Sequence, residues 1–162
     1  MDPAELEAAF LGYQRTVEEI ARSGEWSRFA GLFTDDADYV EHAYGTFKGR
    51  DQIRTWIVKT MTTFPGNQMT GFPVTWAVLD AEQRRVVCEI NNPMRDPGDG
   101  STHAATNITI LDYAGDGLWS REEDVYNPQK FADMTREWSR VAREYGNLPE
   151  EGARLLAFLE RA

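Results

Sequence analysis

The sequence holds a single cysteine, Cys88, which excludes a disulfide framework and a cysteine-rich metal site. Histidine is nearly as scarce: only His42 and His103 are present, and no pair of ligand-type residues has the tight spacing of a zinc motif. Neither a metal nor a cofactor is expected. No apolar run approaches the roughly 18 residues needed to cross a bilayer. Basic residues are in deficit, 17 Lys and Arg against 27 Asp and Glu, for a formal charge of −10. Nucleic-acid affinity rests on cationic neutralisation of phosphates, so no nucleic-acid partner is expected, and acidic membranes are disfavoured for the same reason. There is no Gly-rich phosphate loop; Gly115-Asp116-Gly117 reads as a hairpin turn. The start, Met1 to Glu7, is acidic where a secretory leader would be basic and then apolar, so a cytoplasmic location is expected.

What the sequence does have is aromatic side chains, 12 % of its 162 residues, enough for a large apolar interior or an aromatic-lined pocket. Leu6, Phe10, Tyr13, Val17 and Ile20 recur at helical spacing and predict an amphipathic helix ended by Ser23-Gly24. Glu25 to Phe33 reads as a short second helix burying Trp26, Phe29 and Phe33. Asp38 to His42 and Thr46 to Lys48 read as short strands. A third helix starts near Gly49 with the stripe Ile53, Trp56, Ile57, Thr60, Met61 and Phe64, closed by Pro65-Gly66. The period then changes. Phe72 to Leu79, Arg85 to Asn91, Thr102 to Tyr113 and Leu118 to Tyr126 are rich in β-formers with short connections, which predicts an antiparallel meander. Asn127 and Pro128 supply an N-cap and a first helical position for a helix carrying Phe131, Met134, Trp138, Val141 and Tyr145. Pro149 to Ala162 forms one more amphipathic segment, with Leu155, Leu156 and Leu159 clustered. The layout is α+β.

Strand alternation predicts what points inward. Glu122, Asp124 and Tyr126 share one face; Val87, Glu89 and Asn91 another; His103, Ala105, Asn107 and Thr109 a third; Val74, Trp76 and Val78 a fourth. Polar residues on inner faces are costly unless paired or wetted, and a pocket explains them economically. Asp124 near Glu89 in a dry pocket would have a raised pKa suited to proton exchange. Glu89 and Asn91 either bind a substrate oxygen or form a solvent-facing cross-strand pair. Trp56 and Trp76 are pocket wall or plain core, His103 follows a loop that could leave it exposed, and Cys88 reads as buried filler.

This order of elements, with Ser23-Gly24-Glu25-Trp26, Leu32 to Ala37, Gly45 to Lys48 and Gly49-Arg50-Asp51-Gln52-Ile53, resembles the nuclear transport factor 2-like superfamily, in particular its SnoaL-like, polyketide-cyclase branch. The resemblance implies a cone: a curved antiparallel sheet wrapped around the N-terminal helices, as in cystatin-like folds, over residues 1–146, with a helical extension at 147–162. Asp124-Val125-Tyr126-Asn127-Pro128 is similar to the last strand of limonene-epoxide hydrolases, whose aspartate activates water, and polyketide cyclases place their acid–base aspartate on the same strand. Tyr39 is similar to a water-holding tyrosine of those hydrolases. Their Arg-x-Asp pair is replaced by Glu89-Ile90-Asn91, which argues against epoxide opening by that route. Against ketosteroid isomerases, Val40-Glu41-His42 falls where the general base sits, which makes His42 the base, and the oxyanion groups are replaced by apolar or hydroxyl residues near Val17 and Thr109.

The reading is a cofactor-independent enzyme that moves protons on a small, apolar, oxygenated substrate by cyclisation, dehydration, isomerisation or hydration. Asp124 is its acid–base and His42 a partner, while Tyr39, Asn91, Asn107 and Tyr126 orient oxygens. The alternative is a ligand-binding or assembly module of the same fold. Val86, Cys88, Ile90, Ile108 and Ile110 are expected on the outer sheet face, where they would form a homodimer interface.

Overall fold

A computed structural model describes residues 1–159, the side chain of Leu159 excepted. Leu159's place in the apolar cluster and residues 160–162 thus lie outside the described residues. Helix α1 (Pro3–Ser23) begins where the Asp2 side chain accepts from the Ala4 N–H at 3.0 Å, and it ends at Gly24, whose φ of 75° is left-handed. Its stripe is buried as predicted. The second predicted helix is a 3-10 segment, Trp26–Leu32. Strand β1 (Phe33–Glu41) follows, then β2 (Gly45–Lys48), α2 (Gly49–Thr62), and the meander β3 (Val74–Asp80), β4 (Arg85–Pro93), β5 (Ala104–Gly115) and β6 (Leu118–Val125). Helices α3 (Pro128–Glu144) and α4 (Glu150–Leu159) close the chain, α3 capped by the Asn127 side chain and opened by Pro128.

The sheet order is β2-β1-β6-β5-β4-β3. The meander is antiparallel throughout, but β1 and β6 run parallel, so the sheet is mixed rather than antiparallel. The reason is topological. After β2 and α2 the chain re-enters at the far edge and zigzags back, and its last strand meets β1 in the same direction without a hairpin between them.

The concave face wraps α1, the 3-10 segment and α2, with Leu6, Ile20, Phe33, Ile53, Val86, Cys88, Leu111 and Trp119 in one fully covered core. A second cluster, Met94, Ala105, Met134, Trp138 and Ala142, fastens α3 across the wide end of the cone. Trp138 also donates its indole N–H to the Arg95 carbonyl at 2.7 Å. Helix α4 packs behind it: a Cβ on Gly152 would meet Leu148 Cδ1 at 2.7 Å, and Glu151 accepts from the Phe64 N–H.

Two face assignments differ from expectation. On β4 it is Val86, Cys88, Ile90 and Asn92 that point inward, while Val87, Glu89 and Asn91 point outward. Three apolar residues against α1 cost less than a buried glutamate there. On β3 the register shifts between Val74, opposite Ile90, and Trp76, opposite Glu89. The bulge leaves Val74 inside and turns Trp76 and Val78 outward, 45 % and 62 % exposed.

Candidate active site

Between the sheet and the helices lies a cavity of about 540 Å³. Most of its wall is apolar: Val17, Trp26, Phe29, Trp56, Ile57 and Phe72 on the helical side, Val74 and Ile90 on the sheet, and Phe131, Ala132 and Leu155 from α3 and α4. The polar part is concentrated on β1, β5 and β6, with Asn92 from β4 and Tyr13 from α1.

Asp124 is the hub of that wall. Its Oδ2 accepts from the Tyr39 hydroxyl at 2.5 Å, and its Oδ1 accepts from the Thr109 hydroxyl at 2.5 Å and the Asn107 amide at 3.0 Å. Asn107 is itself oriented, donating to Thr109 Oγ1 at 2.8 Å and accepting from Asn92 Nδ2 at 2.8 Å. Tyr39 is clamped by its ring contact with Trp56, 4.7 Å between centroids. Burial pushes the Asp124 carboxyl above the ordinary aspartate range; the donors from Thr109, Tyr39 and Asn107 oppose the rise and the charge of Glu41 adds to it. A carboxylate has about four acceptor sites, and three are taken. The fourth has no donor among the described residues.

Two residues along β6, Glu122 is 2 % exposed and lines the same cavity. Its donors among the described residues are tyrosine hydroxyls: Tyr13, 3.0 Å from each carboxyl oxygen, and Tyr39, which it shares with Asp124. Burial first, and the neighbouring Asp124 charge second, hold it well above the usual glutamate range. Tyr13 and Tyr39 are likewise raised by burial and by these two carboxyls. At the mouth, Glu41 accepts from the Ala43 and Tyr44 N–H groups at 2.8 and 2.9 Å and from the Tyr126 hydroxyl. Cys88 is fully buried with its thiol pushed up to about 12 by burial and then by Glu122 and Asp124, which makes it an apolar filler rather than a nucleophile.

Of the residues singled out from sequence, Asp124, Tyr39, Trp56, Asn107 and Tyr126 come together around the cavity. The others do not. His42 lies on the outer face, its side chain 44 % exposed and its Nε2 2.7 Å from Glu123; the residue of β1 that turns inward is its neighbour Glu41. His103 pairs with Ser101 in the loop before β5. Glu89 bonds Thr75 on the outer face, so the carboxyl that accompanies Asp124 is Glu122 instead. Asn91 is displaced from the cavity by Asn92, and Trp76 stands outside. Tyr13, read only as part of a core stripe, reaches the site from one turn before Val17. Among the described residues no group of three or more His, Cys, Asp or Glu is placed to hold a metal ion, and no helix is long and apolar enough to cross a membrane.

A curved sheet wrapped around helices in this order is a cystatin-like, nuclear transport factor 2-like fold. The chain belongs to the SnoaL-like domain family, whose profile matches residues 13–122. Among solved structures it is similar to TerC crystallised with polyporic acid (16 % identity, TM-score 0.60, 80 % of this chain and 97 % of that one). It is also similar to a proposed polyketide cyclase from Xanthomonas campestris pv. campestris (17 %, 0.59, 83 % and 98 %) and a proposed isomerase from Bacillus subtilis (15 %, 0.60, 83 % and 95 %). At these identities the likeness is one of fold. No curated protein sequence matches the chain.

Proposed function

We propose that this protein is a cofactor-independent enzyme that moves protons on a small, largely apolar, oxygenated substrate such as a polyketide, terpenoid or steroid-like compound, by cyclisation, dehydration, isomerisation or hydration. The observation that carries the reading is Asp124: a carboxyl raised by burial, held by three donors, with one acceptor site left, in the wall of a mostly apolar cavity. That is the composition of a small-molecule site, apolar surface with a few oriented polar groups, and a carboxyl tuned toward neutrality is suited to general acid–base work. Tyr39 and Asn107 set its direction. Tyr126 and Trp56 shape the space beside it. TerC, of similar fold, was crystallised with polyporic acid, which fits a ligand of this kind.

A panel of polycyclic, terpenoid and steroid-like ketones and alcohols tests it. A ligand at a hundred times its dissociation constant stabilises the fold by about 2.7 kcal/mol, a melting shift of about 5–10 °C for a domain of this size. At least one member is expected to give it. Asp124→Asn is expected to fold and to lose about a hundred- to ten-thousandfold in turnover of any substrate so found. A panel without a stabiliser, or full turnover in the variant, overturns the reading. A second reading, a ligand-binding module without chemistry, is favoured by the fact that both Asp124 oxygens already accept hydrogen bonds; full ligand binding with no turnover of any panel member would establish it.

The protein is further proposed to form a homodimer through the outer sheet face. There Val78, Val87, Ile108, Ile110 and Val125 stand on one surface, while Val86, Cys88 and Ile90 belong to the core. A monomer mass by light scattering at micromolar concentration would overturn this.

A further inference from the structure

Glu122 presents a problem that the reading above does not solve. It is a carboxyl with almost no access to water, it lines the cavity, and among the described residues its donors are two neutral hydroxyls: Tyr13, 3.0 Å from each oxygen, and Tyr39, whose single proton is also held by Asp124. The groups that face it are Tyr13 from α1, Tyr39 from β1, Cys88 from β4 and Asp124 on its own strand, and none is a cation. Lys59, the one basic side chain among the described residues lining the cavity, is exposed on α2. A buried carboxylate so poorly supplied is unstable as an ion and stable as an acid. Two carboxyls two residues apart on one strand face, one with three donors and one with Tyr13 and a Tyr39 hydroxyl shared with the other, divide the roles: Asp124 carries the charge and Glu122 carries the proton.

We propose that Glu122 is a second catalytic residue, a resident acid that gives its proton to the carbonyl oxygen of an enolisable ketone while Asp124 withdraws a proton from the adjacent carbon. The inference rests on the acid–base reading of the cavity and narrows its substrate class to ketones. In the step, the C–H bond breaks and its proton joins Asp124. The electron pair forms the C=C bond as the carbonyl π pair takes the Glu122 proton to make an enol O–H. The pair holds one negative charge before and after; only its seat changes, from Asp124 to Glu122. Return of the enol proton to Glu122 and delivery of the Asp124 proton to carbon restore both groups. Tyr13 is a positioning residue, fixing the Glu122 carboxyl against α1.

The test uses the whole protein and 2-tetralone, a bicyclic ketone whose α-hydrogens exchange with D₂O. Carboxyl-carbon NMR of the wild type, with Glu122→Gln and Asp124→Asn as assignment controls, is expected to show Glu122 protonated and Asp124 ionised at pH 7. An ionised Glu122 there overturns the inference whatever the kinetics. The wild type is expected to catalyse exchange with a rate that falls as pH rises through the Glu122 titration. Asp124→Asn is expected to abolish exchange. Glu122→Gln is expected to lower it about a hundredfold and to erase the alkaline fall. Loss in Asp124→Asn with none in Glu122→Gln overturns the role of Glu122 and leaves the acid–base reading standing. No exchange by the wild type, even with 2-tetralone bound, overturns the proton transfer from carbon on which this inference depends.

Discussion

Glu122 and Glu123 are neighbours on β6 with the same side chain, and the two faces of the sheet make different groups of them. Glu122 points into the cone, where burial and the charge of Asp124 push its pKa up. Glu123 points outward, where His42 at 2.7 Å and the Arg121 guanidinium hold it below the ordinary range. One is fitted to keep a proton, the other to lose it. Residue type does not decide this; strand parity does, because a shift by one residue exchanges a dry wall for a wet one.

The sharpest way to break the comparison is to move a charge across the sheet at adjacent positions of β4. Val86 is fully buried and Val87 faces outward. Val86→Asp is expected to cost about 4 kcal/mol or more and to leave little folded protein. Val87→Asp is expected to keep the fold, by circular dichroism and urea melting, while weakening self-association.

Glu122→Gln sharpens it next. The folded protein binds the Glu122 proton more tightly than the unfolded chain, so stability falls as pH rises from the unfolded value of about 4.5 toward the raised folded one, at up to about 1.4 kcal/mol per pH unit. The variant lacks that loss. Its advantage over the wild type is expected to be absent at pH 4 and to grow through neutrality in melting curves. A constant difference at all pH values would mean that folding does not raise the Glu122 pKa.

Thr109→Val removes one of the three donors to Asp124 and one acceptor for Asn107. The expected cost is about 1–2 kcal/mol. A hydrogen bond to the charged form lowers a carboxyl's pKa, so the Asp124 titration by NMR is expected to move upward. The smallest effect belongs to the outer face. His42→Gln alters a half-exposed hydrogen bond to Glu123 and is expected to change stability by less than about 0.5 kcal/mol and turnover not at all. A tenfold loss of turnover would place the chemistry on the wrong side of the sheet.

Helices α1 and α3 were legible from an apolar stripe and, for α3, from its cap, although α2 has no side-chain cap and Tyr145 of the predicted α3 stripe is exposed. The α1 stripe and the Asn127-Pro128 start of α3 lie where the residues predict them. Asp124, Asn107 and Thr109 were legible because their strands alternate without interruption across those positions. Parity failed where both faces of a strand offer apolar candidates. In Val86 to Asn92 either set could be buried, and only contact with α1 chooses. It failed again at Val74–Trp76, where one unpaired residue, Thr75, reverses the count. At the end of β1 the histidine drew the eye while Glu41, its neighbour, took the inward place. Tyr13 was hidden differently. Its ring belongs to the core stripe and its hydroxyl to the site, and helical spacing reports only the ring.

The parallel contact of β1 with β6 bears on how the protein comes to exist. Strand β6 inserts between β1 and β5, and the Tyr39–Asp124 hydrogen bond joins positions 85 apart in the chain. During synthesis the concave wall stays open until the chain has emerged through β6. The large loop must then close before any of its contacts repays the lost entropy, which slows assembly. The polar wall is therefore completed only with β6, and a chain made as far as β5 lacks both of its carboxyls, Glu122 and Asp124.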